Sequence, residues 1–405
     1  MRTLDLREYR TEEVRLPLNE LQALLSHRNE LALSIEPAHE DEGAWRLTPG
    51  STVGAFEIQD ILSVTVKPKL DIGRVLFLAS YALGEFELCD LERFRFPEKE
   101  TPFEALVPLF VAAAERAFSR GLLRGYRTEE ESLYTVRGRI RFADQIHRRF
   151  GVPLPVEVRY DEFTEDVLAN QLVRAATHAL GTLRLRQRES RVGLGWIAAT
   201  LENVTLLSFP RTEVPEVTFD RLNEHYREVV GLSRLILQHA TIETGRGGVR
   251  AAGFLMDMNR VFEGFVRRAL REELHLTERE FPANKRRPFD KKNNIGIKPD
   301  LSWWKAGTCV FAGDAKYKRI KYQHAPNADV YQLLAYSTAL DLPGGILIYA
   351  EGERDPAMYE VRNAGKQLEV FALDLGGEPA DLLEQISKLA DLVRAMAQAS
   401  VARAA

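Results

Sequence analysis

The sequence predicts a multidomain α+β protein, and three observations carry that expectation. Residues 1–95 hold several short strand-like runs, residues 96–245 show mainly helical periodicity with short strands, and residues 250–405 alternate long helices with β-favouring segments. At 405 residues the chain can bury more than one core. Its 45% hydrophobic and 28% charged content is ordinary for a globular protein and argues against wholesale disorder.

In the first module, residues 31–35, 45–48, 54–58 and 61–66 read as strands, the last ending in Lys67-Pro68-Lys69. Such short pieces suit a small barrel or sheet. Leu18-Asn19-Glu20-Leu21 reads as the start of a short helix with Asn19 as its cap. Residues 76–84 and 102–123 are helical in pattern. In the second of these, Leu106, Leu109, Phe110, Ala113, Ala117 and Phe118 recur at steps of three and four and mark a buried face. Arg137, Arg139 and Arg141 alternate, so on an exposed strand they would line one face. That face suits phosphate or an acidic partner surface, and equally salt bridges to Glu129, Glu130 and Glu131. The acidic run 160–166 precedes a helix through Asn170 and Leu180, where acids in the first turn are favoured by the dipole. Residues 190–250 read as mainly helical, most clearly over 226–241, and Gly245 to Gly248 is a hinge candidate.

The stretch 298–322 carries the chemistry. Trp303, Trp304, Val310 and Phe311 favour strands, with Lys305-Ala306-Gly307-Thr308 as a hairpin loop between them. Asp300 then starts one strand and Asp314 lies on the next, where Asp314 and Lys316 share a face because strand residues alternate. Two carboxylates and an amine at one end of a hairpin could hold magnesium, which takes carboxylate, water and phosphate oxygens, and could activate water. The same residues could equally form a turn and an ordinary solvated face. A helix over 258–270 precedes them, with Glu263 inside it. A helix over 327–340 follows, with Gln332 and Tyr336 on one face. Strands at 345–350 and 368–373 complete the sheet. The tail 380–405 is helical, its stripe of Leu382, Ile386, Leu389, Val393 and Met396 directed at its own domain or at a partner.

The formal charge of −4 does not point to nucleic acid, but its distribution does: between Lys285 and Lys321 eleven Lys and Arg face only three acids. Cys89 and Cys309 stand too far apart in mixed sequence to suggest a disulfide framework, and the eight histidines show no ligand-like grouping. No phosphate-binding loop occurs, so no nucleotide is expected on this chain alone. The charged N-terminus lacks an apolar signal region and no run reaches membrane-spanning length, so a cytoplasmic protein is expected.

The ordered set of Glu263, Pro299-Asp300, Asp314-Ala315-Lys316 and Gln332 with Tyr336 resembles the PD-(D/E)XK nuclease superfamily. That resemblance implies an αβββαβ nuclease core over 250–405, with Asp300, Asp314 and Lys316 catalytic and Glu263 and Gln332 assisting. It implies Mg2+, with Mn2+ as substitute, held by Asp300, Asp314, the Ala315 carbonyl and Glu263. DNA contacts are expected from Lys285, Arg286, Arg287, Lys291, Lys292, Lys318, Arg319, Lys321 and Tyr336. Val53-Gly54 with the run 64–69, residues 121–126 with Arg137-Gly138-Arg139-Ile140, and the run 161–166 with Asn170 extend the likeness. The whole chain resembles the McrC family, nuclease subunits of McrBC-type modification-dependent restriction systems. The resemblance implies docking through the first 95 residues on a McrB-like AAA+ GTPase ring, stimulation of its NTP hydrolysis, and cutting of double-stranded, modified DNA. Two alternatives stay open: a RecB-like DNA-processing nuclease, and a non-catalytic activator of an AAA+ NTPase.

Overall fold

The computed structural model describes residues 1–38, 43–58, 61–84, 102–150, 152–244, 250–283, 285–319, 325–351 and 357–404. Cys89, the hinge candidate at Gly245 to Gly248 and Lys321 lie outside the described residues. The chain forms two compact units, one made of 1–103 with 243–405 and the other of 104–242.

The first unit begins with β1 (Arg2–Arg7), β2 (Glu12–Arg15), α1 (Leu18–Ser26), β3 (Leu33–Pro37), β4 (Ala44–Pro49), β5 (Thr52–Ile58), β6 (Leu62–Lys67) and α2 (Ile72–Leu83). Strand β6 runs parallel to β1 and antiparallel to β5, while β2, β4 and β3 form a separate antiparallel sheet. Alternation explains the packing: Leu62, Val64 and Val66 of β6 share one core with Leu4 and Leu6 of β1 and Leu24 of α1. Strands β1 and β2 are additions to the sequence reading, their two-residue period being masked by charges on the outward positions. Asn19 does not cap α1. Pro17 occupies the cap position, no side chain bonds there, and Asn19 lies inside the first turn. Asp71 does cap α2, accepting from the Gly73 amide at 2.8 Å, and the helix ends on Gly84 at φ 72°.

The middle unit contains α3 (Pro102–Phe118), β7 (Gly125–Leu133), β8 (Arg139–Ile140), α4 (Phe142–Arg149), β9 (Val156–Thr164), α5 (Leu168–Gly181), α6 (Arg188–Thr200) and α7 (Arg227–His239). The predicted inner face of α3 is buried. Strand β9 pairs antiparallel with both β7 and β8. The acids at 160–164 therefore belong to a strand, not to the first turn of a helix, and α5 has no acid in its first turn. Asp166 instead joins segments, accepting from the Thr205 amide at 2.8 Å and Gln171 Nε2 at 2.9 Å. Of the alternating arginines, Arg141 meets Glu130 at 2.9 Å and Asp144 at 2.6 Å and Arg137 meets Glu162 at 3.4 Å, which makes this a salt-bridged face. Residues 201–223 are irregular, interrupting the helical stretch expected over 190–250. Tyr126, Tyr134, Phe142, Ile146, Phe150 and Phe163 are exposed apolar side chains on this small sheet and its connections.

The first unit resumes with β10 (Ala240–Thr244), β11 (Arg250–Asp257), α8 (Met258–Glu273), β12 (Arg287–Pro288), β13 (Gly296–Ile297), β14 (Leu301–Lys305), β15 (Thr308–Arg319), α9 (Asn327–Ala339), β16 (Gly344–Glu351), β17 (Ala357–Val361), β18 (Lys366–Ala372) and α10 (Pro379–Ala404). Strand β11 pairs with β5, giving the order β1-β6-β5-β11-β10. Helix α2 packs on α8, with Phe77 and Tyr81 against Phe265 at ring separations of 5.8 and 5.2 Å and the Tyr81 hydroxyl donating to Glu272 at 2.7 Å. These contacts join residues 1–103 to 243–405, where the sequence reading separates a module over 1–95 from one over 250–405. Strand pairing across two hundred residues leaves no periodic trace.

The second large sheet has the order β14-β15-β16-β18-β17 and is mixed, with β15, β16 and β18 parallel and both outer pairs antiparallel. Between α8 and α9 it contributes two strands, not the three of the expected αβββαβ order, because β12 and β13 form a separate two-stranded sheet. Leu347 and Tyr349 of β16 share a core with Leu333 of α9, while Tyr317 of β15 meets Phe262 of α8 at 6.1 Å. Helix α10 buries its stripe within this unit, with Leu382, Ile386, Leu389 and Val393 at 1% exposure or less. Its Arg394 and Ser387 bond to Glu273 of α8.

Gly54 marks the closest approach in the first sheet. At φ 130° an added Cβ would stand 1.9 Å from the Phe254 carbonyl oxygen. Gly54→Ala is expected to destabilise the protein by about 2 kcal/mol or more, read as a lower midpoint in urea denaturation.

Candidate active site

The site is built on the β14–β15 hairpin. Ala306 and Gly307, at φ 48° and 86°, form the tight turn whose twist matches the strands. The register pairs Leu301 with Gly313, so Asp300 and Asp314 are neighbours one step beyond that pair. Asp300 Oδ2 accepts from the Ala315 amide at 3.1 Å, which fixes its carboxylate beside the strand. Asp314 and Lys316 point to the α9 side, opposite Leu347 and Tyr349 in register, and Lys316 Nζ lies 2.6 Å from Asp314 Oδ2. The sequence-predicted trio Asp300, Asp314 and Lys316 therefore converges.

Its electrostatics are strained. Asp314 is fully buried, and the Lys316 ammonium is its close counter-ion. Burial, then the adjacent Asp314, push the Asp300 carboxyl up to about 7. For Lys316, burial opposes the charge, but Asp314 and Asp300 prevail and raise the ammonium above its ordinary value. Glu263 on α8 is raised first by burial and then by Asp300, and its carboxylate pairs with Arg267 at 2.7 Å. Among the described residues no three His, Cys, Asp or Glu side chains form a group able to hold a metal ion.

Gln332 is exposed and donates to the Tyr336 hydroxyl at 2.7 Å, which donates to the Lys298 carbonyl at 3.2 Å. Tyr336 is buried and braces the segment leading to Asp300 from within, in place of the DNA-facing position expected. Lys318 is drawn to Asp329 of α9 at 2.6 Å, and Asp329 also accepts from the Tyr349 hydroxyl at 2.6 Å. Lys285 and Arg287 sit over the Trp304 ring, at 3.8 and 4.5 Å from its centroid. Arg286, Lys291 and Lys292 are exposed, and Arg319 ends β15.

Two supporting groups are absent from the sequence reading. Asp329 lies one turn before Gln332 and could have been found as an acid on the same helix face. Glu8 is 5% exposed and pushed up to about 7 by burial, offset by the Lys69 amide it accepts from at 3.1 Å. The Lys69 ammonium lies 4.2 Å from the centre of the Tyr317 ring, next to Lys316 in sequence. Lys67-Pro68-Lys69 was legible as a motif, its destination was not. A cavity of about 540 Å³ in the middle unit lies between α5 and α6, on other elements than the carboxylates. Its Arg174 and Arg191 donate to backbone carbonyls.

The fold and site define a mixed α+β protein with a buried acidic pair and a lysine, preceded in the chain by a basic hairpin. The chain belongs to the McrBC 5-methylcytosine restriction system component family, whose model matches residues 47–350. Its fold is similar to a chain in the tetradecameric assembly of Thermococcus gammatolerans McrB AAA+ hexamers with bound McrC, with a TM-score of 0.60 and 19% identity over 96% of this chain and 100% of that one. A chain of the Thermococcus gammatolerans McrBC complex aligns with a TM-score of 0.44 and 20% identity over 67% of this chain and 88% of that one. None of the curated proteins compared matches. No helix among the described residues is long and apolar enough to cross a membrane.

The raised Asp300 carboxyl has a defined pH signature. Between its unfolded value near 4 and its folded value near 7, the native state holds a proton that the unfolded state has released, so stability falls as pH rises through that window. In chelator, wild type is expected to lose stability relative to Asp300→Asn between about pH 4 and 7, measured by denaturation across pH. A pH-independent difference would contradict the assignment.

Proposed function

We infer that this chain is the McrC-type subunit of a McrBC-like restriction complex, a metal-dependent DNA endonuclease with a PD-(D/E)XK-type core that cuts DNA delivered by a McrB-type AAA+ GTPase ring. The observation that carries the reading is the convergence of Asp300, Asp314 and Lys316 at one hairpin. Asp314, fully buried with Lys316 as its counter-ion, and Asp300, its carboxyl pushed up to about 7 beside it, together describe a centre short of positive charge. A divalent cation fits that deficit. Asp300 and Asp314 would hold it, with the Ala315 carbonyl and water completing an oxygen shell, and Glu263 would tune it from Arg267. When bound, the cation lowers the pKa of coordinated water and neutralises charge on the phosphate.

The protein's own part is positioning. Lys316 stays protonated at neutral pH, so it serves as a hydrogen-bond donor and fixed charge toward the attacking water or a phosphate oxygen, not as a base. The Ala315 amide fixes Asp300, and Gln332 with Tyr336 holds the strand entry. Exposed Arg286, Lys291 and Lys292 supply phosphate contacts.

Asp314→Ala and Lys316→Ala are expected to lower plasmid cleavage about 10³-fold or more in a reconstituted complex with Mg2+, while NTP hydrolysis by the ring is retained. Cutting by Asp314→Ala at the wild-type rate would reject the assignment in favour of an activator without a catalytic centre. Equal cleavage of methylated and unmethylated DNA would favour a RecB-like processing role.

The middle unit also supports a role in ring docking, because Tyr126, Tyr134, Phe142, Ile146, Phe150 and Phe163 each leave more than half of their surface exposed. Phe150→Asp, at a side chain 90% exposed, is expected to reduce co-elution with the ring without lowering the melting temperature. Unchanged co-elution would return docking to the first 95 residues.

A further inference from the structure

Strands β12 and β13 form a hairpin over residues 285–298, directly ahead of the aspartate pair, and its residues divide into two kinds. Lys285 and Arg287 stack over Trp304 of β14, and burial followed by the nearby Arg287 lowers the Lys285 ammonium, as fits a group packed on a ring. These two cations anchor the hairpin base to the strand that begins after Asp300. Arg286, Lys291 and Lys292 are exposed.

The tip is ordered by its single acid. Asp290 accepts from the backbone amides of Ile295 at 2.7 Å and Lys292 at 3.2 Å, and the Phe289 amide bonds to the Ile295 carbonyl at 2.7 Å. Asp290 thus spends its charge on backbone donors, which hold its carboxyl below the usual range. What remains exposed on the hairpin is three cations, Arg286, Lys291 and Lys292, and two apolar side chains, Phe289 at 44% and Ile295 at 56% exposure. Ile297, which ends β13, is three residues from Asp300, a reach of at most about 10 Å.

We propose that this hairpin is a groove-reading finger for duplex DNA, in which Arg286, Lys291 and Lys292 take phosphates while Phe289 and Ile295 press against sugars and base edges beside the cutting centre. The proposal rests on the nuclease reading for its choice of substrate. Charge complementarity selects the occupant, since exposed cations on a hairpin whose one acid is bonded to its own backbone amides suit a polyanion. Apolar residues at such a tip add contact that salt does not screen.

The test measures binding of a labelled duplex to the full chain in chelator across a salt series, so that no cutting is needed. Each phosphate contact adds about 0.9 to the slope of log Kd against log salt. Lys291→Ala with Lys292→Ala should therefore reduce that slope by about 1.8. Phe289→Ser with Ile295→Ser should weaken binding about tenfold at every salt concentration and leave the slope unchanged. Both double variants alter exposed positions, and a melting temperature equal to wild type checks their fold. An unaltered slope in the lysine variant, wild-type binding by the apolar variant, or absence of duplex binding by wild type overturns the finger. Binding that follows the expected pattern, in a chain that fails to cut with Mg2+ and its ring, would sink the nuclease reading and leave the finger standing.

Discussion

Two carboxylates share a nearly dry corner with one ammonium, and much of the surrounding structure serves to keep them there. Like charges at hydrogen-bond range repel by several kcal/mol even at an effective dielectric near 20, so Asp300 and Asp314 cannot both be ionised without a further positive charge. The protein holds the imbalance by covalent and packing constraints. A short hairpin fixes the register, the Ala315 amide fixes Asp300, and Lys316 offsets part of the charge. On the proposed nuclease reading such a preorganised polar environment suits phosphoryl chemistry, where positioning and electrostatics dominate over covalent work.

The supports come from both faces of the sheet. On one side Asp329 of α9 gathers Lys318 and the Tyr349 hydroxyl, and Gln332 with Tyr336 reaches the Lys298 carbonyl. On the other, Tyr317 packs against Phe262 and under Lys69, with Glu8 behind it. Successive residues of one strand are thus claimed by opposite layers, which limits how far Lys316 can drift from Asp314. Arg267 restrains Glu263 in the same way from α8.

Where geometry depends on local spacing, the sequence was readable. Asp300, Asp314 and Lys316 converge because a hairpin and a two-residue period are short-range facts, and the strands and helices around them follow from the same periods. Side-chain partnership was not legible: nothing in the order of residues announces that Lys318 chooses Asp329, that Lys285 lies on Trp304, or that Tyr336 turns inward. The acidic run at 160–166 was misread because carboxylates ahead of a helical pattern resemble a first turn, while their pairing with β7 is set thirty residues away. Strands β1 and β2 escaped notice since charged outward positions hide alternation in a short segment.

The pairing of β5 with β11 brings a temporal consequence. The opening strands cannot complete their sheet until about 190 further residues have been synthesised, because the partner strand arrives only after the whole middle unit. That intervening unit is free to fold first on its own, whereas the flanking halves must wait for each other and carry an exposed β5 edge in the meantime. The acidic centre is therefore a late product of translation: the hairpin that carries the aspartates follows Glu8 and Lys69 by more than two hundred residues, and α10 is added after it.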